Sequence, residues 1–185
     1  TASVTTKGPM KDPLIIVSGL PRSGTSMMMQ MLESGGLEVF TDNKREADTN
    51  NPKGYYEHEA VKRLATDKKW IPQAKNKAVK VVSHLLVHLP QKYNYKIIFM
   101  EREINEVIAS QHKMLVQMGK AKPGTYSLGL DMTFKENIKK TKLWAKKHYN
   151  IDILTVKHED VIKDPLKESI RIQEFLNINM DTQKM

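Results

Sequence analysis

The chain has 185 residues, enough to bury one continuous core, and a single domain over 1–185 is expected. The absence of cysteine excludes a disulfide framework and a thiolate metal site and agrees with a reducing, cytoplasmic compartment. A net charge of +9 favours anionic ligands; 6% aromatic residues and no arginine-rich arm argue against nucleic acid, and no apolar run has the length of a membrane span.

Residues 1–12 are expected to be a flexible lead-in. Leu14 to Ser18, bounded by Gly19, reads as a buried strand, and the loop to Gly24 then opens a helix whose first N–H groups point back at the strand end. A loop of that form cradles phosphate. Its spacing follows the nucleotide-binding pattern G-x-x-x-x-G-K-[ST] until Thr25, which stands where the lysine that reaches a β- or γ-phosphate belongs. The cation has moved inside the loop, to Arg22, so ordinary ATP or GTP hydrolysis is disfavoured.

Met27 through Leu32 is apolar nearly all round, as in a core helix ended by Gly35-Gly36, and Met27-Met28-Met29 reads as flexible core filling. Further apolar runs at 37–41, 78–83, 96–100 and 151–156 alternate with helical periodicity. That rhythm predicts an α/β domain whose parallel sheet of about five strands is flanked by helices on both faces. Ile104, Val107, Ile108, Leu115 and Met118 share one helical face, and Ser110 lies off it, close to the strand-end Arg102. The polar stretch 119–129, with Pro123-Gly124, is expected to be a loop able to serve as a lid. Phe134, Ile138, Thr141 and Ala145 then recur at helical spacing. Nine lysines between Lys113 and Asn150 face only Asp131 and Glu136, which makes either an anion-attracting surface or a solvated helix face. Asp164-Pro165 starts a last helix, aspartate as cap and proline at the first position.

Three segments carry a family resemblance. Pro21-Arg22-Ser23-Gly24-Thr25-Ser26 resembles the 5′-phosphosulfate loop of sulfotransferases that use 3′-phosphoadenosine 5′-phosphosulfate (PAPS), especially the bacterial and Golgi-type branches. Ile97-Ile98-Phe99-Met100-Glu101-Arg102, with Ser110 further on, is similar to their 3′-phosphate motif. The stretch from Ile153 through Asp164-Pro165 to Glu174-Phe175-Leu176 is similar to their closing strand and helix. The resemblance implies a three-layer, P-loop-type domain that moves a sulfuryl group from PAPS to a small-molecule, lipid or glycan acceptor, with no metal.

It also implies roles. Pro21, Arg22, Ser23, Gly24, Thr25 and Ser26 would bind the 5′-phosphosulfate, Arg22 neutralising the leaving group, and Arg102 with Ser110 would hold the 3′-phosphate. Asn51 to Glu57 resembles a bacterial-branch segment, which makes Glu57 the first candidate for general base, with Glu46 and Glu59 as neighbours. His84 stands roughly where the cytosolic branch has its catalytic histidine and ranks second. Lys80 is similar in place to a lysine that other branches direct at the phosphosulfate, and Tyr55 and Tyr56 fall on the acceptor side. The cytosolic branch's Gly-rich basic closing segment has no counterpart in 181–185. Two other readings stay open: a P-loop nucleotide or small-molecule kinase, and a non-catalytic module that holds an acidic polymer on 113–150. Oligomeric state is not legible.

Overall fold

The computed structural model describes residues 4–5, 10–42, 48–49, 54–125 and 129–185. Strands β1 (Val4–Thr5), β2 (Leu14–Gly19), β3 (Ala78–Val82), β4 (Tyr95–Glu101) and β5 (Ile151–Lys157) form one sheet in the order β1-β5-β4-β2-β3. Strands β2 to β5 are mutually parallel, and the two-residue β1 pairs antiparallel with β5 at the edge.

Alternate residues of the parallel strands feed two separate cores, because successive side chains of a strand point to opposite faces. Leu14, Ile16, Val79, Val81, Ile97, Phe99, Ile151 and Ile153 pack on one face with Leu64, Trp70 and Ala145. Ile15, Val17, Ile98, Met100, Leu154 and Val156 pack on the other with Met28, Met29 and Leu32 of helix α1 (Thr25–Ser34). The same face takes Ile172 and Phe175 of the C-terminal helix. A parallel sheet covered on both sides needs continuous apolar strands, and every residue of β2 is buried. The remaining helices are α2 (Glu59–Lys62), α3 (Ile104–Gln117), α4 (Leu130–Lys147), α5 (His158–Lys163) and α6 (Pro165–Leu176). The architecture is the expected three-layer α/β domain. Among the described residues no helix is long and apolar enough to cross a membrane.

One expected strand is not formed. Of the run 37–41, only Val39 pairs with the sheet, through a single bridge to Ala78. Beyond it Phe40 stacks on His58 and Trp70, while Thr41 and Asp42 donate to the Glu57 carbonyl, so the chain leaves the ladder to hold the segment that follows. Four parallel strands therefore replace the expected five. The local signals otherwise match: Gly35 closes α1 with Gly36 at φ +98°, and the Asp164 side chain accepts from the Lys167 N–H ahead of α6. Residues 119–125 are irregular, with turns at Gly119 and at Pro123-Gly124, and 126–128 lie outside the described residues.

The order of the strands decides where a ligand can sit. From β2 the chain returns through α1 to β3 on one side, and β4 then adds on the other. The crevice of an open α/β sheet lies at such a reversal, outside the carboxyl ends of the strands.

The opposite end of the sheet is closed by Lys96, whose Nζ donates to the carbonyls of Phe175 (2.7 Å) and Leu176 (3.0 Å), the last of α6. Its register partner on β5 is the buried Asp152. Burial pushes the Lys96 ammonium below its ordinary value, and Asp152 opposes that. Lys96→Met leaves the helix end and the carboxylate without this cation and is expected to cost about 2 kcal/mol, read as a lower urea midpoint. An unchanged midpoint contradicts this role.

Candidate active site

The loop between β2 and α1 owes its path to two glycines. A Cβ on Gly19 would stand 2.7 Å from the Met100 carbonyl oxygen and 2.5 Å from Ser23 Oγ, so only glycine lets the chain turn this close over the end of β4. Ser23 then fastens the turn from inside, donating from Oγ to the Leu20 carbonyl at 2.6 Å. Gly24 precedes α1 at φ +99° and offers it no side-chain cap. The first N–H groups of α1 consequently face the crevice with the positive end of the helix dipole behind them.

Three cations from three elements meet at this tip. Arg22, held at a left-handed φ of +66°, crosses to α3 and donates from Nε to Ser110 Oγ at 3.0 Å. Arg102, just past β4, donates from Nη1 to the Arg22 carbonyl at 3.4 Å and from Nε to Glu106 at 2.7 Å. Lys80, on β3, donates to Ser26 Oγ (2.9 Å) and to the Tyr55 carbonyl (2.8 Å). A lysine from the neighbouring strand thus stands beside a loop that has none of its own. A left-handed backbone at a non-glycine residue costs of order 1–3 kcal/mol and gathers where geometry is kept for function. Arg22 is such a residue.

Tyr55 and Glu57 form the facing wall. Tyr55 is buried and donates to Asp48 at 2.8 Å. Tyr56, at φ +54°, donates to Glu33 at 2.8 Å, and burial, with help from that carboxylate, pushes its phenol up to about 12. Glu57 faces the cleft and pairs with Lys62 at 2.9 Å, while its carbonyl accepts from Thr41 Oγ1 at 2.9 Å.

Together these walls enclose a cleft of about 390 Å³. Of the residues expected from the sequence, Pro21, Arg22, Gly24, Thr25, Ser26, Glu57, Lys80 and Arg102 line it. Ser23 points back into the loop and Ser110 stands behind Arg22. Glu59 pairs with Lys62 at the start of α2, outside the cleft walls. His84 is exposed on a 3₁₀ turn (Ser83–His88) and is not a wall residue. Glu46 lies outside the described residues.

Several wall residues were not anticipated, Met27 and His158 among them. Met27 is half-buried and does both, lining the cleft while packing against the edge of the core: consecutive helical positions are about 100° apart, so with Met28 and Met29 fully buried the first of the three methionines is turned toward the loop side. His158 opens α5 at the end of β5 and joins the wall beside Arg102. Its signal in the sequence was its place just past the last parallel strand.

A family model described as sulfotransferase domain matches residues 12–185. Among solved structures, the sulfotransferase domain from the Synechococcus PCC 7002 olefin synthase superposes with a TM-score of 0.51 at 14% identity, over 95% of this chain and 78% of that one. That likeness is one of fold. No curated protein matches the chain.

Gly24→Ala tests the close approach of the loop to His158. Its Cβ would meet His158 Cδ2 at 2.9 Å, whereas a Cβ on Gly36, at the nearly identical φ of +98°, meets nothing within 4 Å. Both alanine variants should lose about 1–2 kcal/mol to the left-handed backbone, with Gly24→Ala losing more in chemical denaturation. Equal losses contradict the close approach.

Proposed function

The chain belongs to the sulfotransferase domain family, and from that premise we propose that it transfers a sulfuryl group from PAPS to a hydroxyl or amine acceptor by in-line displacement, releasing adenosine 3′,5′-bisphosphate. One observation carries the choice of donor. An uncapped helix start is ringed by Arg22, Lys80 and Arg102 in a cleft whose floor is narrowed by two obligatory glycines.

These residues fit a nucleotide with phosphate groups at two ends. The N–H groups of Gly24 to Met27 and the hydroxyls of Thr25 and Ser26 would hold the 5′ end, and Arg102, reached across the Arg22 carbonyl, would hold the 3′ end. PAPS supplies the activated sulfuryl group; the protein supplies position and charge. Arg22 carries a permanent, planar charge between the loop and α3, where it would neutralise charge that develops on a leaving phosphate. Its bond to Ser110 couples the two ends, because displacing either partner frees the other. Lys80 stands beside Ser26 at the same tip and would stabilise the transferring oxygens.

Glu57 is the better placed base. It lies in the cleft, oriented by Lys62 and by the strained turn at Tyr56, and would accept the proton of the attacking acceptor. His84, exposed away from the walls, would need a rearrangement to do so. An acceptor would enter along Tyr55 and Met114, a mixed polar and apolar approach that suits small hydroxylated molecules. The fold does not choose among them.

Calorimetric titration with adenosine 3′,5′-bisphosphate should give a tight complex that is insensitive to EDTA. Dependence on magnesium, with preference for ATP, would point to a kinase. Arg102→Ala should weaken the bisphosphate about 10- to 100-fold, as expected for losing a charge-assisted contact, while ADP binding changes little; equal losses contradict a 3′-phosphate role. Arg22→Ala should lower turnover at least about 100-fold with a nearly unchanged melting temperature, and an active variant would refute its assignment.

A further inference from the structure

We propose that His158 is a binding residue for the 3′-phosphate end of the donor nucleotide and takes up a proton from solvent when that anion arrives. The inference rests on the donor proposed above and concerns a residue to which neither the sequence motifs nor the family match gives a role.

His158 stands on the wall shared by the main cleft and an adjoining cleft of about 240 Å³, so an anion reaching from the α1 tip to Arg102 passes beside its ring. The Cδ2 edge of the ring packs on Gly24, so closely that a methyl group there would collide with it.

The charges around it are balanced when no anion is present. Arg102 and Glu106 face it as an ion pair, Arg22 adjoins them through its carbonyl, and Glu101, just ahead of Arg102, is paired with Lys142 of α4. Glu103 is engaged in capping α3, while Lys157 and Glu159 flank the histidine on β5 and α5. Burial, then the nearby Arg102 charge, hold the imidazole below its ordinary value, and Glu106 only partly offsets them. Both effects favour the neutral ring.

A phosphate on Arg102 reverses that balance. It brings up to two negative charges to the side from which Arg102 repels the imidazolium, and it competes with Glu106 for the guanidinium. Protonation then turns the ring nitrogens into two donors facing an anion. A lysine or arginine at this position would be a permanent third cation against Arg22 and Arg102 in the empty cleft. A histidine avoids that repulsion until the ligant charge is present.

The test is the ¹H–¹³C titration of the His158 ring in the intact chain, assigned through bonds, with and without saturating adenosine 3′,5′-bisphosphate. Its midpoint should rise by about one pH unit or more with the bisphosphate and much less with adenosine 5′-monophosphate, which lacks the 3′ group. In calorimetry, affinity for the bisphosphate should fall about threefold or more further between pH 6 and pH 8 in the wild type than in His158→Gln. The comparison cancels the titration of the phosphate itself. A midpoint unmoved by bound bisphosphate, or the same pH dependence in both proteins, overturns this role and leaves the donor intact. No binding at any pH removes the donor and this inference together. Should His158→Gln fail to fold, the wild-type midpoint decides.

Discussion

The structure turns on how closely the β2–α1 loop passes over the end of β4. Gly19 lies against the Met100 carbonyl and Gly24 against the His158 ring, and side chains at either place would lift the loop away. Everything chemical follows from that contact. It lets Arg102 reach the Arg22 carbonyl, sends Arg22 across to Ser110, and leaves the start of α1 open toward the crevice. The buried strands below make the loop's footing rigid, so the tip is held before any ligand arrives.

Charge is distributed around this tip with some economy. Arg22, Lys80 and Arg102 come from three different elements, yet each is held by a neutral or acidic partner: Ser110, Ser26 with the Tyr55 carbonyl, and Glu106. Such partners limit mutual repulsion in the empty cleft and can be exchanged for ligand oxygens. The lysine-rich exposed side of α4 is a different matter. Several of its charges pair locally, Lys135 with Asp131, Lys140 with Glu136 and Lys142 with Glu101. In part, then, it is the solvated helix face that the sequence left open as one reading.

Much of this was legible in the residues themselves. Strands buried on both faces must be apolar throughout, so β2, β4 and β5 announce themselves, and the helix signals at Gly35-Gly36 and Asp164-Pro165 are local backbone chemistry. The run 37–41 misled because apolarity cannot distinguish a strand from a segment whose ring is taken by an aromatic stack, here Phe40 with His58 and Trp70. The cleft was less legible than the sheet. Arg22 and Arg102 sit in motifs with recognisable spacing, but the meeting of Lys80 with Ser26, and of His158 with Gly24, spans 54 and 134 positions of chain and exists only once the strands are in order. Glu57 and His84 were comparable as sequence. Packing separates them, one into the cleft and the other onto the surface.

The proposed transfer depends on an anion held by the main-chain N–H groups at the start of α1. Amide chemical shifts during titration with adenosine 3′,5′-bisphosphate test it most directly. The largest changes should fall on Gly24, Thr25, Ser26 and Met27, followed by Arg102 and His158. Changes centred on the lysines of α4, with the amides of 24–27 unmoved, would contradict it.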